Sequence, residues 1–120
     1  MSKSAITIKV FGIYMLMLGF LLILVPNLML SVFRFPQTSE VWIRVAGVLV
    51  FNIGIYYLYA AKSEVQAFFR ASVFTRIFVL AAFSVFVSLG FASPSLILIG
   101  SVDFAGGIWT YITLKNEKNH

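Results

Sequence analysis

A single carboxylate, Asp103, sits in a stretch apolar enough to cross a membrane: Leu96-Ile-Leu-Ile-Gly-Ser-Val-Asp-Phe-Ala-Gly-Gly-Ile-Trp109. An ionisable group in hydrocarbon is costly unless a partner or water satisfies it, so Asp103 is the first candidate for a functional or structural centre. With about 1.5 Å of rise per residue from the outer boundary, Arg44 lies roughly 5 Å deep, Asp103 roughly 12 Å and Asn52 about 16 Å, near the midplane. An arginine side chain bridges that gap. The spacing predicts an Arg44–Asp103 ion pair, with Glu40, one turn before Arg44, as a second and more exposed carboxylate. The alternative is that Arg44 reaches outward to headgroups and Glu40 while Asp103 stays protonated.

Three tyrosines in four positions, Tyr56-Tyr57-Leu-Tyr59, cannot all face headgroups. At least one must turn inward, and Tyr56, on the side of Asn52, is the expected one. A pocket of Asn52, Tyr56, Phe83 and Trp109 would suit a flat apolar ligand such as a quinone or sterol, with plain packing as the competing account. Arg76 is expected near the inner boundary, anchoring to headgroups or contacting a ligand phosphate or carboxylate. Other chemistries fail on residue supply. There is no Cys, the one His is the terminal His120, and no Gly-rich phosphate loop or Ser, His and acid set is present, so thiol, metal and triad chemistry are excluded.

These side chains need helices to position them. With 61% hydrophobic and 11% charged residues and a mean hydropathy of +1.00, the 120-residue composition is that of an integral membrane protein. Each crossing takes about 20 apolar residues, and four runs qualify: about 6–30, 41–61, 71–91 and 96–114. The first is too long for a signal-peptide core and is read as a retained helix, with Pro26 kinking or ending it. Pro36 breaks the chain before the second run, where Thr38 or Ser39 and Glu40 suit a helix start; Ser93 and Pro94 suit the start of the fourth. Trp42, Trp109 and Tyr111 fall at the levels of interfacial aromatic belts.

The pattern predicts an all-α, antiparallel four-helix bundle forming one transmembrane domain. Lys3, Lys9, Lys62, Arg70, Arg76, Lys115 and Lys118 are seven of the nine basic residues and share one face, which places both termini in the cytoplasm. The net charge of +5 then implies contact with anionic lipids and not with nucleic acid. Glycines supply close helix approach: Gly100, Gly106 and Gly107 share a face with Asp103 and Thr110, and Gly47 and Gly54 lie a heptad apart on the second run.

The order Trp42-x-Arg44-x-x-Gly47, Gly54-Ile-Tyr56-Tyr57-x-x-Ala60-Ala61-Lys62, Arg76, and Asp103-Phe-Ala-Gly106-Gly107-Ile-Trp109-Thr110 resembles the small four-helix DoxX-like membrane proteins of bacteria. The resemblance covers most of the chain from the second run onward. It implies a bundle in the bacterial inner membrane, with Arg44 and Asp103 at the family's recurring polar positions. It selects no activity, since that grouping includes quinone-linked oxidoreductase subunits and assembly factors. The favoured expectation is a non-enzymatic protein that binds a lipid-like ligand, a larger membrane protein or a second copy through the glycine-rich polar seam. Competing with it are a quinone-linked redox subunit, in which Asp103 handles a proton beside Arg44 or Tyr56, and a small multidrug-type transporter, whose usual first-span acid is missing here.

Overall fold

The computed structural model describes residues 1–38 and 41–118. Glu40 and His120 lie outside them, and so does the expected Glu40 contact with Arg44. The described residues fold into five helices without strands: α1 (Lys3–Leu24), α2 (Pro26–Val32), α3 (Trp42–Lys62), α4 (Gln66–Ser88) and α5 (Ser95–Lys118). All except α2 are long and apolar enough to cross a membrane. The long axis measures 49 Å, enough to span the roughly 40–45 Å of a bilayer with its headgroups.

Local chemistry explains the boundaries. The Ser2 hydroxyl caps α1 by accepting from the Ala5 N–H at 3.1 Å. Pro26 has no N–H to continue the helix, so the first run breaks at Val25 and restarts as α2 with the proline in its first turn. Ser39 lies outside the described residues, and Ser93 does not act as a side-chain cap. The cap position of α3 is Val41, the Thr38 N–H donates to Asn27 Oδ1 at 2.9 Å, and the buried Ser93 hydroxyl has no partner. Backbone bonds close the first turn of α5 instead, from Leu96 N–H to the Ser93 carbonyl and from Ile97 N–H to that of Pro94, each 3.0 Å.

Helices α2, α3 and α4 end alike. A residue at positive φ follows each cap, Arg34 (60°), Glu64 (53°) and Gly90 (81°), and the next N–H reaches back five residues, as in Phe35 to Leu30 (2.7 Å), Val65 to Ala60 (3.0 Å) and Phe91 to Phe86 (2.9 Å). Only Gly90 adopts that backbone without a Cβ penalty.

α1 packs most extensively on α3, and α4 on α5. The first pair meets through glycines. A Cβ on Gly19 would stand 2.6 Å from the Phe51 nitrogen and 2.7 Å from the Gly47 oxygen, and one on Gly54 would stand 2.9 Å from the Gly12 oxygen. Four glycines at matching seven-residue spacing therefore hold two backbones in contact, the packing expected where lipid supplies no hydrophobic drive. The buried core of Ala5, Ile8, Phe11, Tyr57, Ala60, Ala61 and Phe69 joins the two pairs at the end carrying the first turns of α1.

Gly107 behaves differently from the expected seam. A Cβ on Gly107 would meet its nearest atom, Arg76 Cβ, at 3.4 Å, an ordinary contact. Gly19→Ala should therefore destabilise the protein by about 1–3 kcal/mol despite the better helix propensity of alanine, while Gly107→Ala should be neutral or stabilising. Thermal unfolding in detergent reads the contrast; equal melting temperatures would refute the glycine contact as the tight one.

Candidate functional site

Arg76 is the largest fully buried side chain, 2% exposed, and the polar interior is built around it. Starting α4 at Gln66, five residues before the expected boundary, puts Arg76 in its third turn, with its side chain enclosed inside the protein and not free to anchor at its surface. Its Nε donates to the Ser72 carbonyl at 3.2 Å, and Nη2 donates to Ser72 Oγ at 2.8 Å and Thr110 Oγ1 at 2.9 Å. The guanidinium carbon lies 4.8 Å from the Phe11 ring centre and 5.7 Å from that of Tyr57. Both distances fall within cation–π range. Gly106 and Gly107 supply the room: a Cβ at Gly106 would stand 3.2 Å from Nη1.

From Arg76 the hydrogen bonds continue to the end of the bundle. Thr110 Oγ1 lies 2.7 Å from Thr7 Oγ1, which donates to the Ser4 carbonyl at 2.6 Å. Thr110 Oγ1 accepts from Arg76 and also reaches the Gly106 carbonyl of its own helix at 3.1 Å, so each hydroxyl has a carbonyl on its own helix and either can donate to the other. Beyond them the Glu117 carboxylate accepts from the Ser4 N–H at 2.9 Å and from Ser4 Oγ at 2.6 Å. Glu64 accepts from the Ser2 N–H at 3.1 Å and its hydroxyl at 3.3 Å, and these bonds hold its carboxyl below the usual range. The result is a polar tie linking α1, α4 and α5.

Asp103 lies on α5 one turn before Gly106, which borders this centre. It is half-buried, within the field of the Arg76 guanidinium, and Tyr14 and Tyr57 lie within its own field. Arg76 Nη1 has no hydrogen-bond partner among the described residues. Arg44 is exposed on α3 and donates to the Ile23 carbonyl near the end of α1. No bond joins Arg44 to Asp103 among the described residues, because α3 packs on α1 while Asp103 belongs to the α4–α5 pair.

The expected ligand pocket is not assembled either. Tyr56 is 65% exposed, Asn52 and Trp109 also face outward, and Tyr57, at 6%, is the tyrosine that turns in. Tyr57 packs edge-on against Phe68 with ring centres 4.9 Å apart, and its hydroxyl lies beside Thr75. Helical phase decides this: Gly54, Tyr57 and Ala61 share the face toward α1, and Asn52 and Tyr56 lie opposite. Sequence reasoning also passed over Gly12, Gly19, Ser72, Thr7 and Phe11. The Gly12–Gly19 spacing, identical to Gly47–Gly54, was the available signal.

A different cavity is present. A partly open groove of about 1170 Å³ runs along α4 and α5 on a floor of Val73, Phe74, Ile77, Ile108 and Leu114. At its end stand Gln66, Arg70, Tyr111, Lys115 and Glu117. Arg70 and Lys115 are exposed, and Ser4 already engages the Glu117 carboxylate. The groove shares its wall with the Arg76 centre, since Gly107 rests on Val73 and Arg76.

Arg76→Met should cost about 3 kcal/mol or more by stranding Ser72 and Thr110 and removing the charge facing Asp103, whereas exposed Arg44→Met should cost less than about 1 kcal/mol. Combined with Asp103→Asn, the Arg76 change should be non-additive and the Arg44 change additive, read as melting temperatures in detergent. Coupling confined to Arg44 would overturn this assignment. No known protein family, curated protein or solved structure matches the chain.

Proposed function

We propose that this chain is a DoxX-like, multi-pass protein of the bacterial inner membrane that binds an anionic lipid-like amphiphile in the α4–α5 groove. The observation that carries the reading is the groove itself, apolar along its floor and bearing Arg70 and Lys115 at one end. Its volume is ample for an amphiphile. In the proposed complex the head accepts from Arg70, Lys115 and Gln66, while the tail lies on Phe74, Ile77 and Ile108. Binding requires no bond to be made or broken, and the proposed role is non-enzymatic.

The bundle is antiparallel in this reading. Helix registers support it: Gly12 meets Gly54 while Gly19 meets Gly47, and Gly100 meets Leu80 while Gly107 meets Val73. Both termini are cytoplasmic. Burial removes Arg76 from the charge comparison, yet Lys3, Lys9, Lys62, Arg70, Lys115 and Lys118 still outnumber Arg34 and Arg44 at the opposite end. The groove's basic end then lies at the cytoplasmic leaflet, where anionic lipid attracts it.

Native mass spectrometry of the detergent-purified chain should find one phospholipid retained, with phosphatidylglycerol favoured over phosphatidylcholine. Arg70→Gln with Lys115→Gln should reduce that preference about thirtyfold, because each cation contributes on the order of 1 kcal/mol. Ile108→Trp should fill the floor and lower retention of both lipids. Asn52→Leu and Tyr56→Phe should change neither; depletion by those two alone would return the site to the α3 side. For orientation, Gln37→Cys should react with an impermeant thiol reagent in intact cells and Asn116→Cys only after lysis.

A further inference from the structure

We infer that a second copy of this chain docks on the outward face of α3, with Asn52 hydrogen-bonding its counterpart across a two-fold axis. Trp42, Val45, Leu49, Asn52, Tyr56 and Tyr59 are all exposed, and their spacings of three, four, three, four and three form an uninterrupted heptad stripe. That is the repeat by which two helices pack side by side in a left-handed crossing, the commoner arrangement in membranes. The opposite face of α3, Gly47, Gly54, Tyr57 and Ala61, is already spent on α1 and the core. The stripe is thus a second packing face.

Asn52 identifies the occupant. It lies in the middle of a 21-residue apolar helix with no hydrogen bond among the described residues. An amide left in hydrocarbon is costly, and lipid tails offer it nothing. A carboxamide carries both donors and an acceptor, so it is complementary to itself. Two copies inserted with the same topology run their α3 helices parallel, which brings Asn52 of one to the depth of Asn52 of the other. An isologous contact needs no further polar residue. A single polar residue within a heptad seam also fixes register, a role asparagine serves in coiled coils. The α4–α5 groove takes no part in this interface, so the two sites can be tested separately.

The chain has no cysteine, which makes crosslinking direct. In reconstituted bilayers, oxidation of Trp42→Cys or Tyr59→Cys should yield covalent dimers, whereas Phe78→Cys, equally exposed but on α4, should not. Asn52→Leu should weaken dimerisation by roughly 3- to 30-fold in dilution-dependent energy transfer between labelled copies, the range of one interhelical hydrogen bond in lipid. Because Asn52 is exposed, its detergent melting temperature should stay that of the wild-type monomer. Dimers through Phe78→Cys at equal yield, an undiminished dimer fraction in Asn52→Leu, or wild-type chains that remain monomeric at high density in the bilayer would each overturn the inference.

Discussion

A guanidinium buried in an apolar bundle must be met by acceptors and ring faces, and the requirement organises this protein. Arg76 sits at the junction of four helices, with its own helix's Ser72, Thr110 of α5 and the rings of Phe11 of α1 and Tyr57 of α3 around it. Each contact demands something of a neighbour. Gly106 must lack a side chain to admit the head, and Thr110 must keep its hydroxyl turned to accept. Desolvating the cation is costly, so its bonds do more to specify one arrangement of α1, α4 and α5 than to add net stability.

The two helix pairs answer to different physics. α1 and α3 close backbone to backbone through Gly12, Gly19, Gly47 and Gly54, where dispersion and near-contact of carbonyl and Cα groups hold the helices together. α4 and α5 meet through a polar group that keeps side-chain bulk between them at Gly106 and Gly107. The tight pair leaves no room between its helices. The spaced pair has a long groove along its flank.

Much of the fold was legible in the sequence because hydrocarbon imposes length and composition on any segment that crosses it. The four apolar runs fall on α1, α3, α4 and α5, and Pro26 breaks the first as a residue without an N–H must. The site was less legible, for reasons of phase and depth. Depth counting paired Arg44 with Asp103 but carried no information on which helices are neighbours; α1 stands against α3, and Arg44 takes the Ile23 carbonyl. Arg76 was expected near the inner boundary because the third run was started at 71, whereas α4 begins at Gln66 and encloses the side chain. Among the tyrosines, a phase reckoned from Asn52 selects Tyr56, and one reckoned from Gly54 selects Tyr57. The glycine was the better guide, because close backbone approach fixes a face more strictly than an amide does.

That same phase separates the chain's two outward features. A helix whose glycines face inward presents its large residues outward, so α3 turns Trp42, Leu49, Tyr56 and Tyr59 to the surroundings as a direct consequence of packing Gly47 and Gly54 on α1. Leucine, tryptophan and tyrosine are at home against lipid and headgroups and need no partner. Asn52 on the same face does. An amide that helix packing inside the chain turns outward therefore has most to gain from packing between chains, while Arg76, on a face that packing turns inward, takes its bonds from Ser72 and Thr110.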